Sequence, residues 1–244
     1  MIRVGLIIPS SNRMVEQEMV RHLPPGVVAH VARLRMTGAY RLAIDALVPH
    51  VEAAAATLAD ARCDVIAFHC TANSMAEGNG GEAKLLAALA RAGAPRSTTT
   101  AGAVRHALDS LRARRIVLFT PYNAQTTAEE AEFLEMAGYE VLHARGFALG
   151  GSDQYCATPA QFWRDRAVEA ARQEADAYFI SCANISVFPV IAELEQRLDR
   201  PLVTSNQAVI FDALSLVGAA DRRNCPGRVF DALRSSQSAP RIPA

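Results

Sequence analysis

Two cysteines stand at matching places in the chain, each directly after a run of apolar residues. Cys70 lies in FHCTANSM (68–75) and Cys182 in FISCANIS (179–186), so that 112 residues separate them (182 − 70 = 112). A thiol can attack an electrophilic carbon or pass a proton, and a nearby helix N-terminus lowers its pKa. The pair suggests acid–base or nucleophilic chemistry from two sides of a small molecule, although two buried structural thiols would give the same pattern.

The residues around the two cysteines repeat at the same offset, without a gap. The pairs keep their roles, because a strand precedes each proline, a helix precedes each glycine and an aspartate opens each strand that ends at a cysteine. Self-similarity at a fixed offset indicates two similar halves, which we expect at 1–112 and 113–212, with 213–244 returning to the first half. The matching pairs are Arg3 and Arg115, Pro9 and Pro121, Glu18 and Glu130, Gly26 and Gly138, Arg33 and Arg145, Asp64 and Asp176, and Ser74 and Ser186.

Short apolar segments alternate along the chain with longer segments rich in alanine, leucine and charged residues. This alternation predicts an α/β fold of two pseudo-symmetric, Rossmann-like halves, each a parallel sheet with helices on both faces, and a cleft between the halves. The strands are predicted at 3–8, 27–34, 64–69, 115–120, 139–144, 176–181 and 201–204. The helices are predicted at 13–23, 42–61, 81–92, 101–113, 124–137, 159–174, 187–199 and 207–217.

Four loops follow the predicted strands and lead into predicted helical segments. They are PSSN (9–12), HCTANS (69–74), PYN (121–123) and SCANIS (181–186). Open parallel sheets bind ligands beyond the carboxyl ends of their strands, and the backbone N–H groups at a helix start suit a carboxylate. We therefore expect a small carboxylate or dicarboxylate to bind where these loops meet.

Composition narrows the possible partners and the compartment. The chain has 244 residues, 20% of them charged, and a formal net charge of zero, which gives no reason to expect nucleic acid or an anionic membrane as a partner. No apolar run reaches the ~18–20 residues of a membrane span. The start, MIRVGLIIPSSN, reads as a first strand and not as a signal peptide. Five cysteines without a regular spacing favour reduced thiols in a cytoplasmic protein.

Several other residues invite a functional interpretation that the pattern does not favour. Cys63, Cys156 and Cys225 have no counterpart at the 112-residue offset, so we expect them to be structural or incidental. His69 should point away from Cys70 because neighbours on a strand face opposite sides, and it is expected to pack behind the site. The HC pair has no second ligand pair at zinc spacing, so no metal site is predicted.

Two further segments allow more than one interpretation. The glycine-rich EGNGGEAK (77–84) lacks the order of a phosphate loop and is expected to be a flexible connection or a lid. SSN (10–12) could cap a helix, which is compatible with ligand binding. Tyr122 could pack between the halves, although binding is the favoured role, and Trp163 is expected in the core or at an interface.

Five segments together resemble a known family, the cofactor-independent aspartate/glutamate racemase superfamily. Within it, the closer similarity is to the branch of maleate cis–trans isomerases and arylmalonate decarboxylases, and it spans about residues 1–217. Each segment is weakly specific alone, and together they are fairly specific. The segments are IIPSSNRMVEQE (7–18), FHCTANSM (68–75), FTPYNAQTTAEEAEFLEMAGYEV (119–141), ISCANISVFPVIAELEQRL (180–198) and PLVTSNQAVIFDAL (201–214).

The resemblance implies roles for individual residues. Cys182 matches a cysteine shared by the isomerases and the decarboxylases, whereas Cys70 matches one that the decarboxylases replace by glycine, which argues against simple decarboxylation. Asn12 and Tyr122 match residues that bind substrate carboxylates in the isomerases, and Asn206 matches a motif typical of the isomerases. The other residues predicted to contact the substrate are Ser10, Thr71, Ala72, Asn123 and Ala183.

The implied function is a cofactor-independent cis–trans isomerisation of a small dicarboxylate, of the maleate-to-fumarate type. The resemblance implies Cys70 as the nucleophile and Cys182 as the acid and base, without fixing that order. The alternatives are a racemase or an arylmalonate-type decarboxylase on the same scaffold, or a non-catalytic carboxylate-binding protein. No cofactor and no metal are expected. The alanine-rich segment 42–61 could pack against the sheet or against a second subunit of a homodimer.

The chain also departs from the isomerase pattern at two places where the substrate is expected to lie. The isomerases have bulky apolar residues after the first cysteine, where this chain has Thr71, Ala72 and Asn73. They carry an asparagine near the position of Asp153 and Gln154. These departures leave the identity of the dicarboxylate open.

Overall fold

The computed structural model describes residues 1–36 and 42–233, and the last part of the predicted returning segment, 234–244, lies outside them. Helices and strands alternate along the chain. The strands are β1 (Ile2–Pro9), β2 (Val27–Leu34), β3 (Val65–Phe68), β4 (Ser97–Thr99), β5 (Arg115–Thr120), β6 (Glu140–Gly146), β7 (Ala177–Ile180) and β8 (Leu202–Thr204). The α-helices are α1 (Val15–His22), α2 (Ile44–Asp60), α3 (Thr71–Met75), α4 (Gly78–Arg91), α5 (Thr100–Ser110), α6 (Ala124–Met136), α7 (Ser152–Ala157), α8 (Ala160–Glu169), α9 (Ile191–Leu198) and α10 (Ser205–Leu216).

The strands form two four-stranded sheets of the same topology. The strand order is β2-β1-β3-β4 in the first sheet and β6-β5-β7-β8 in the second, and every pairing is parallel. The short strands β3 and β7 are buried along their whole length, as expected for parallel strands covered by helices on both faces. The predicted α/β fold of two similar parallel-sheet halves is confirmed.

An aspartate clamps the first and third strands of each sheet together in the same way. The backbone N–H of Arg3 donates to Asp64 Oδ2 at 2.7 Å, and the backbone N–H of Arg115 donates to Asp176 Oδ2 at 2.8 Å. In return, each aspartate N–H donates to the carbonyl of its arginine, at 2.8 and 2.7 Å. These residues are two of the pairs at the 112-residue offset, so the sequence repeat corresponds to a repeat of hydrogen bonds.

The offset between the halves changes before the last strand of each sheet. Thr99 and Thr204 cap α5 and α10 by accepting from the backbone N–H of Gly102 and Gln207, and they lie 105 residues apart (204 − 99 = 105). The second half is therefore seven residues shorter in this stretch (112 − 105 = 7). The gapless match thus holds up to the cysteine loops and ends after them.

The helices α5 and α10 pack against each other where the two halves meet. Every residue from Ser205 to Leu214 is buried, and the Nδ1 of His106 lies 2.6 Å from Asp212 Oδ1 across the pair. Because α10 begins at Ser205, one continuous helix crosses the boundary predicted between 212 and 213. The division of the chain into two domains stays a prediction.

Several short elements were not predicted. The strand β4 has only three residues, α3 has five and α7 has six, so none carries a clear periodic pattern. The long helices lie close to their predicted positions, except that α8 ends at Glu169 and α9 is preceded by a 3-10 turn, Phe188–Val190. These differences leave the sheet order unaffected.

The expectation of a flexible connection or lid at 77–84 is wrong, because this segment enters α4 at Gly78. Glu77, with φ +60°, makes the turn into the helix. The backbone of Gly81 packs so closely that an added Cβ would lie 2.5 Å from the Ala76 carbonyl oxygen. Gly81 therefore allows a close approach of two backbone segments.

The closeness at Gly81 predicts a difference between two neighbouring glycines of the same helix. We expect Gly81→Ala to lower the free energy of unfolding by about 1–3 kcal/mol, since the methyl group displaces the preceding turn. Gly80 has open space around its Cβ position. Gly80→Ala should therefore stabilise the protein by about 0.5–1 kcal/mol through helix propensity. Urea unfolding of both variants measures the difference, and equal effects would contradict it.

The alanine-rich helix α2 uses its apolar side within the protein. Its buried residues recur at helical spacing and belong to a core cluster with Ile7 and Phe68 of the first sheet. The buried residues of α2 are Ile44, Leu47, Val51, Ala55 and Leu58. A homodimer remains a prediction.

Trp163 is buried in the core, as predicted. No helix in the described ranges is long and apolar enough to cross a membrane.

Candidate active site

A cavity of about 170 Å³ lies beyond the carboxyl ends of β1, β3, β5 and β7, between the two halves. This is where open parallel sheets place their ligands. Both halves contribute to its wall. The described residues that line it are Pro9, Ser11, Asn12, Met36, His69, Cys70, Thr71, Ala72 and Asn73 from the first half, and Tyr122, Asn123, Thr126, Ala148, Leu149, Ser152, Tyr155, Cys182, Ala183 and Asn184 from the second.

The structure brings most of the predicted site residues to this one cavity. Both cysteines line it, together with other predicted residues from all four loops. Ser10 and Asn206 are not among the described residues of the wall. The predicted residues that line the cavity are Cys70, Cys182, Asn12, Thr71, Ala72, Tyr122, Asn123 and Ala183.

Cys70 stands at the start of α3, directly after the buried strand β3. It is half-buried, and its Sγ donates to Asn73 Oδ1 at 3.5 Å. The amide nitrogen of Asn73 donates in turn to the carbonyl of Leu42 at 3.1 Å. Asn73 therefore connects the first thiol to the segment that leads into α2.

Cys182 lies in a backbone conformation that L-residues rarely adopt, with φ +101°. Such a conformation costs about 1–3 kcal/mol and persists only where neighbours hold it. The neighbour here is Ser205, whose Oγ accepts the backbone N–H of Cys182 at 3.0 Å. The same oxygen accepts the hydroxyl of Thr71 at 2.8 Å. Ser205, the first residue of α10, thus ties the two cysteine loops together.

The surroundings of Cys182 keep its thiol protonated near neutral pH. Burial raises the pKa of Cys182 to about 12, against the opposing effect of hydrogen bonds from Tyr122 and from the backbone N–H of Asn184, 3.4 Å from Sγ. Burial also raises the pKa of Tyr122 well above its usual value, so its hydroxyl stays a donor. Cys182 is therefore placed to give a proton, with a tyrosine beside it that can stabilise the resulting thiolate.

The side chain of Asn12 has a structural task and one remaining donor. Its Oδ1 accepts the backbone N–H groups of Met14 and Val15, both at 3.0 Å, which orders the entry into α1. Its Nδ2 donates to the carbonyl of Ala183, 3.1 Å away in the other half. An amide nitrogen carries two hydrogens, so one donor is left for a ligand. The predicted capping role is thus confirmed, and it leaves room for ligand binding by Asn12, which stays a prediction.

Asn184 is a cavity residue that sequence reasoning missed. Its Oδ1 accepts the backbone N–H of Arg13 at 2.9 Å and lies 3.1 Å from the thiol of Cys156. It therefore connects the second cysteine loop to the first half and to α7. Its position in the sequence, two residues after Cys182, could have predicted that it lies at the cavity. Cys156, expected to be structural or incidental, supports Asn184 from behind.

The helix α7 covers one side of the cavity with Ser152 and Tyr155. Because none of its residues is buried, the sequence shows no periodic apolar pattern that would predict this helix. Asp153 and Gln154 are not among the described residues of the wall, contrary to the expectation that they lie against the substrate. Asp153 pairs with Arg13 at 2.6 Å on the exposed rim, and Gln154 accepts the backbone N–H of Gly150.

Ser10 and Asn206 act behind the wall. The Oγ of Ser10 lies 3.2 Å from both the N–H and the carbonyl of Met36, where it shapes the end of β2. Asn206 is buried, and its Nδ2 donates to Glu18 and, at 3.3 Å, to the carbonyl of Ala183. Their direct contact with a substrate stays a prediction that this geometry does not support.

The amide of Asn206 also fixes the tautomer of His69. The amide nitrogen of Asn206 must face the Ala183 carbonyl, so the amide oxygen faces Nε2 of His69, 2.8 Å away. Because this oxygen can only accept, Nε2 of His69 carries the proton. Nδ1 then accepts from Thr100 Oγ1 at 2.9 Å. Burial lowers the pKa of His69 to about 4. His69 is thus a neutral, packed histidine, as the alternation along the strand predicted.

Glu18, the buried carboxyl beneath Asn206, makes stability depend on pH. Burial raises its pKa from 4.5 to about 8. The folded protein therefore keeps a proton that the unfolded chain loses, and the free energy of unfolding falls as pH rises between these values, by up to about 1.4 kcal/mol per pH unit. We expect Glu18→Gln, which cannot ionise, to remove this dependence and to be the more stable protein above pH 8.

Urea unfolding of wild type and Glu18→Gln across this pH range measures the effect. Parallel stability curves for the two proteins would show that Glu18 does not carry the proton.

Within the described ranges, no cluster of three or more histidine, cysteine, aspartate or glutamate side chains could hold a metal ion.

Comparison with known proteins gives relatives of two named activities. A maleate isomerase of Geobacillus stearothermophilus is 26% identical over 230 residues, 87% of this chain and 90% of that protein. An arylmalonate decarboxylase of Bordetella bronchiseptica is 27% identical over 234 residues, 93% of this chain and 96% of that protein. Both similarities extend over nearly the whole length of each chain.

A solved structure shares the fold. It is a cysteine-to-serine mutant of the Nocardia farcinica maleate cis-trans isomerase with a covalently bound succinylcysteine intermediate, and it superposes with a TM-score of 0.83 at 24% identity, covering 94% of this chain and 98% of its own. The predicted resemblance to the branch of maleate isomerases and arylmalonate decarboxylases is confirmed. The family model of arylmalonate decarboxylase matches residues 4–230, so the chain belongs to the arylmalonate decarboxylase family.

Proposed function

We propose that the protein is an enzyme that isomerises a small cis-dicarboxylate to its trans form, of the maleate-to-fumarate type, through Cys70 and Cys182 and without a cofactor. The observation that carries the proposal is the placement of two thiols, one from each half, on one cavity. The environment of Cys182 supports a role as proton donor. Curated maleate isomerases at 26–27% identity support the reaction class.

The substrate would be held by neutral donors. Of the described residues that line the cavity, none is a lysine or an arginine. The remaining N–H of Asn12 and the hydroxyl of Tyr122 are suited to the carboxylates, as the resemblance implies for both, whereas the Thr71 hydroxyl donates to Ser205. Donors aimed at a carboxylate also stabilise the enediolate charge that develops next to it, by about 2.7–4 kcal/mol per donor in favourable cases.

In the proposed reaction, the thiolate of Cys70 forms a bond to one alkene carbon. The electron pair of the double bond moves to the neighbouring carbon and its carboxylate, and Cys182 gives that carbon its thiol proton. The central bond is now single and rotates. The Cys182 thiolate then takes a proton back, the double bond re-forms, and the C–S bond breaks with its electron pair returning to Cys70. The succinylcysteine of the Nocardia protein is the kind of adduct that this sequence produces.

Two related reactions would use the same cavity. A racemase would remove an α-proton with one thiol and return it from the opposite face with the other. An arylmalonate-type decarboxylase is represented among the relatives at 27% identity. The presence of Cys70, where the resemblance places glycine in decarboxylases, favours the isomerase. A non-catalytic carboxylate-binding protein would have no use for the paired thiols.

Proton NMR of the reduced protein with maleate in deuterated buffer tests the proposal. Fumarate that forms with wild type and not with Cys70→Ser supports it, and deuterium at the alkene carbons would report exchange through Cys182. Absence of fumarate from a folded wild-type protein would exclude maleate as a substrate. Chiral α-substituted acids and arylmalonates in the same assay then reveal a racemase by deuterium uptake, or a decarboxylase by loss of the malonate.

A further inference from the structure

We propose that Ser205 and Asn206, the first two residues of α10, are positioning residues that set the separation of the two thiols. Both are buried, and neither is among the described residues of the cavity wall. Each one hydrogen-bonds both cysteine loops. The inference rests on the proposed function for its catalytic meaning, because Cys70 and Cys182 are the proposed reacting groups.

The side chain of Ser205 joins the residue after Cys70 to Cys182 itself. Its Oγ accepts the hydroxyl of Thr71 at 2.8 Å and the backbone N–H of Cys182 at 3.0 Å. The second contact holds a cysteine at φ +101°, a conformation that only its neighbours maintain. Without this acceptor, the Cys182 N–H would be buried and unpaired, and a shift of the backbone towards a commoner conformation would be favoured.

The side chain of Asn206 joins the same two loops through other residues. His69 directly precedes the first cysteine, and its Nε2 donates to Asn206 Oδ1 at 2.8 Å. Ala183 directly follows the second cysteine, and its carbonyl accepts from Asn206 Nδ2 at 3.3 Å. The other hydrogen of Nδ2 goes to Glu18, so the amide cannot turn without losing these contacts. Ser205 and Asn206 thus hold the two loops from consecutive positions of one helix.

The start of α10 is rigid. Thr204 and Gln207 form a capping box, in which the side chain of each bonds the backbone N–H of the other, at 3.1 and 3.0 Å. Every residue from Ser205 to Leu214 is buried. The two bridging side chains therefore project from a backbone that is fixed by its cap and by its packing.

The equivalent helix start in the first half has a different arrangement. At the offset that relates the two capping threonines, Ser205 corresponds to Thr100, the first residue of α5 (205 − 100 = 105). Thr100 Oγ1 lies 2.9 Å from Nδ1 of His69, in its own half. Asn206 corresponds to Ala101, which has no polar side chain. Contact with both cysteine loops is therefore not a general consequence of starting a helix at this place.

The spacing of the thiols matters because sulfur and proton must reach neighbouring carbons of one small molecule. Cys70 and Cys182 interact electrostatically across the cavity. A displacement of about 1 Å at a reacting group can lower a rate roughly 10²-fold. Because Ser205 and Asn206 lie behind the wall, their loss would change this geometry and leave the proposed carboxylate donors in place. We therefore expect kcat to fall with little change in KM.

Binding of arsenite to the reduced protein measures the spacing without turnover. Arsenous acid condenses with two thiols that stand close together, forming two As–S bonds and releasing two molecules of water. Protection of the Cys70 peptide from iodoacetamide, quantified by mass spectrometry over a series of arsenite concentrations, gives an apparent Kd. Cys182→Ser should lose this protection. A wild-type protein without protection, or protection that persists in Cys182→Ser, would overturn the inference.

Ser205→Ala removes the bridging hydroxyl, so we expect the apparent Kd for arsenite to rise by about tenfold or more and kcat to fall by about 10–10²-fold. Ser205→Thr keeps the hydroxyl and should stay within about threefold of wild type. Ser215→Ala is the matched control on the same helix, because the buried Oγ of Ser215 has no hydrogen-bond partner in the described part of the chain. An unchanged Kd in Ser205→Ala, or an equal rise in the Ala and Thr variants, would overturn the inference.

Asn206→Leu tests the second residue, since leucine has nearly the shape of asparagine and makes neither hydrogen bond. We expect the same rise in the apparent Kd, and a folded Asn206→Leu protein with the Kd of wild type would overturn the role given to Asn206. If circular dichroism shows that this variant does not fold, the Ser205 series decides. Absence of fumarate in the NMR assay would refute the proposed function separately, because arsenite binding does not depend on maleate turnover.

Discussion

Replacing Cys182 by serine is expected to lower isomerase turnover by about 10³-fold while Cys70 stays reactive towards iodoacetamide. The reason is that a serine hydroxyl is a much weaker acid than a thiol. It cannot donate a proton to the carbon next to a carboxylate and then remove one from it, as proposed for Cys182. The buried thiol, with a pKa of about 12, is already a weak acid that depends on Tyr122 and the Asn184 N–H for stabilisation of its thiolate. Steady-state NMR of fumarate formation measures the loss.

The matched control is Cys63→Ser. Cys63 is also a buried thiol, but it packs in the core of the first half, where its Sγ lies 3.2 Å from the position of a Cβ on Gly5. Its replacement should change stability and leave the turnover of the folded protein within about threefold of wild type. Equal losses from the two substitutions would show that Cys182 acts through folding. A Cys182→Ser enzyme within tenfold of wild type would remove this thiol from the mechanism.

Tyr122→Phe is expected to lower kcat by about 10²–10³-fold and to displace the pH dependence of kcat to higher pH. The Tyr122 hydroxyl hydrogen-bonds Cys182 and lowers the pKa of its thiol. Without it, that pKa rises further, so steps that need the Cys182 thiolate require a higher pH. The same change removes a donor proposed for a substrate carboxylate, so KM should increase. A pH profile of kcat and KM separates the two effects.

Tyr155→Phe provides the comparison within the same cavity wall. Its ring packs edge-on against that of Tyr122, with centroids 5.9 Å apart, and phenylalanine keeps this contact. We expect a loss of less than tenfold and an unshifted pH profile. A loss at Tyr155 as large as that at Tyr122, or a Tyr122→Phe profile that coincides with wild type, would contradict the role given to the Tyr122 hydroxyl.

The sequence predicted the parts of this architecture that are written in local patterns. Apolar runs located seven of the strands, and the 112-residue offset located both cysteine loops, because aspartate, proline and cysteine mark the ends of corresponding strands. Three-residue β4 and the exposed helix α7 escaped prediction, since neither buries enough side chains in a regular order to leave a periodic pattern.

The contacts that tune the site lie beyond local patterns. Ser205 reaches Thr71 across 134 positions and Cys182 across 23, and the Asn206 amide joins Glu18 to Ala183. Such contacts arise only once α10 has packed between the halves. The resemblance pointed to Asn206 as important, but the direction of its side chain, into the wall and away from the cavity, follows from tertiary packing alone.

The two halves differ in length by seven residues after the cysteine loops, and the two thiols themselves stand in unlike backbone conformations (112 − 105 = 7). Cys70 opens a helix, whereas Cys182 lies in a strained bend held by Ser205. A substrate such as maleate has two interchangeable carbons in free solution. Bound between unlike thiols, those carbons become distinct, one for sulfur and one for hydrogen. In the proposed reaction, the imperfect duplication of the chain would thereby make the two carbons of a symmetric diacid inequivalent and fix which of them is attacked.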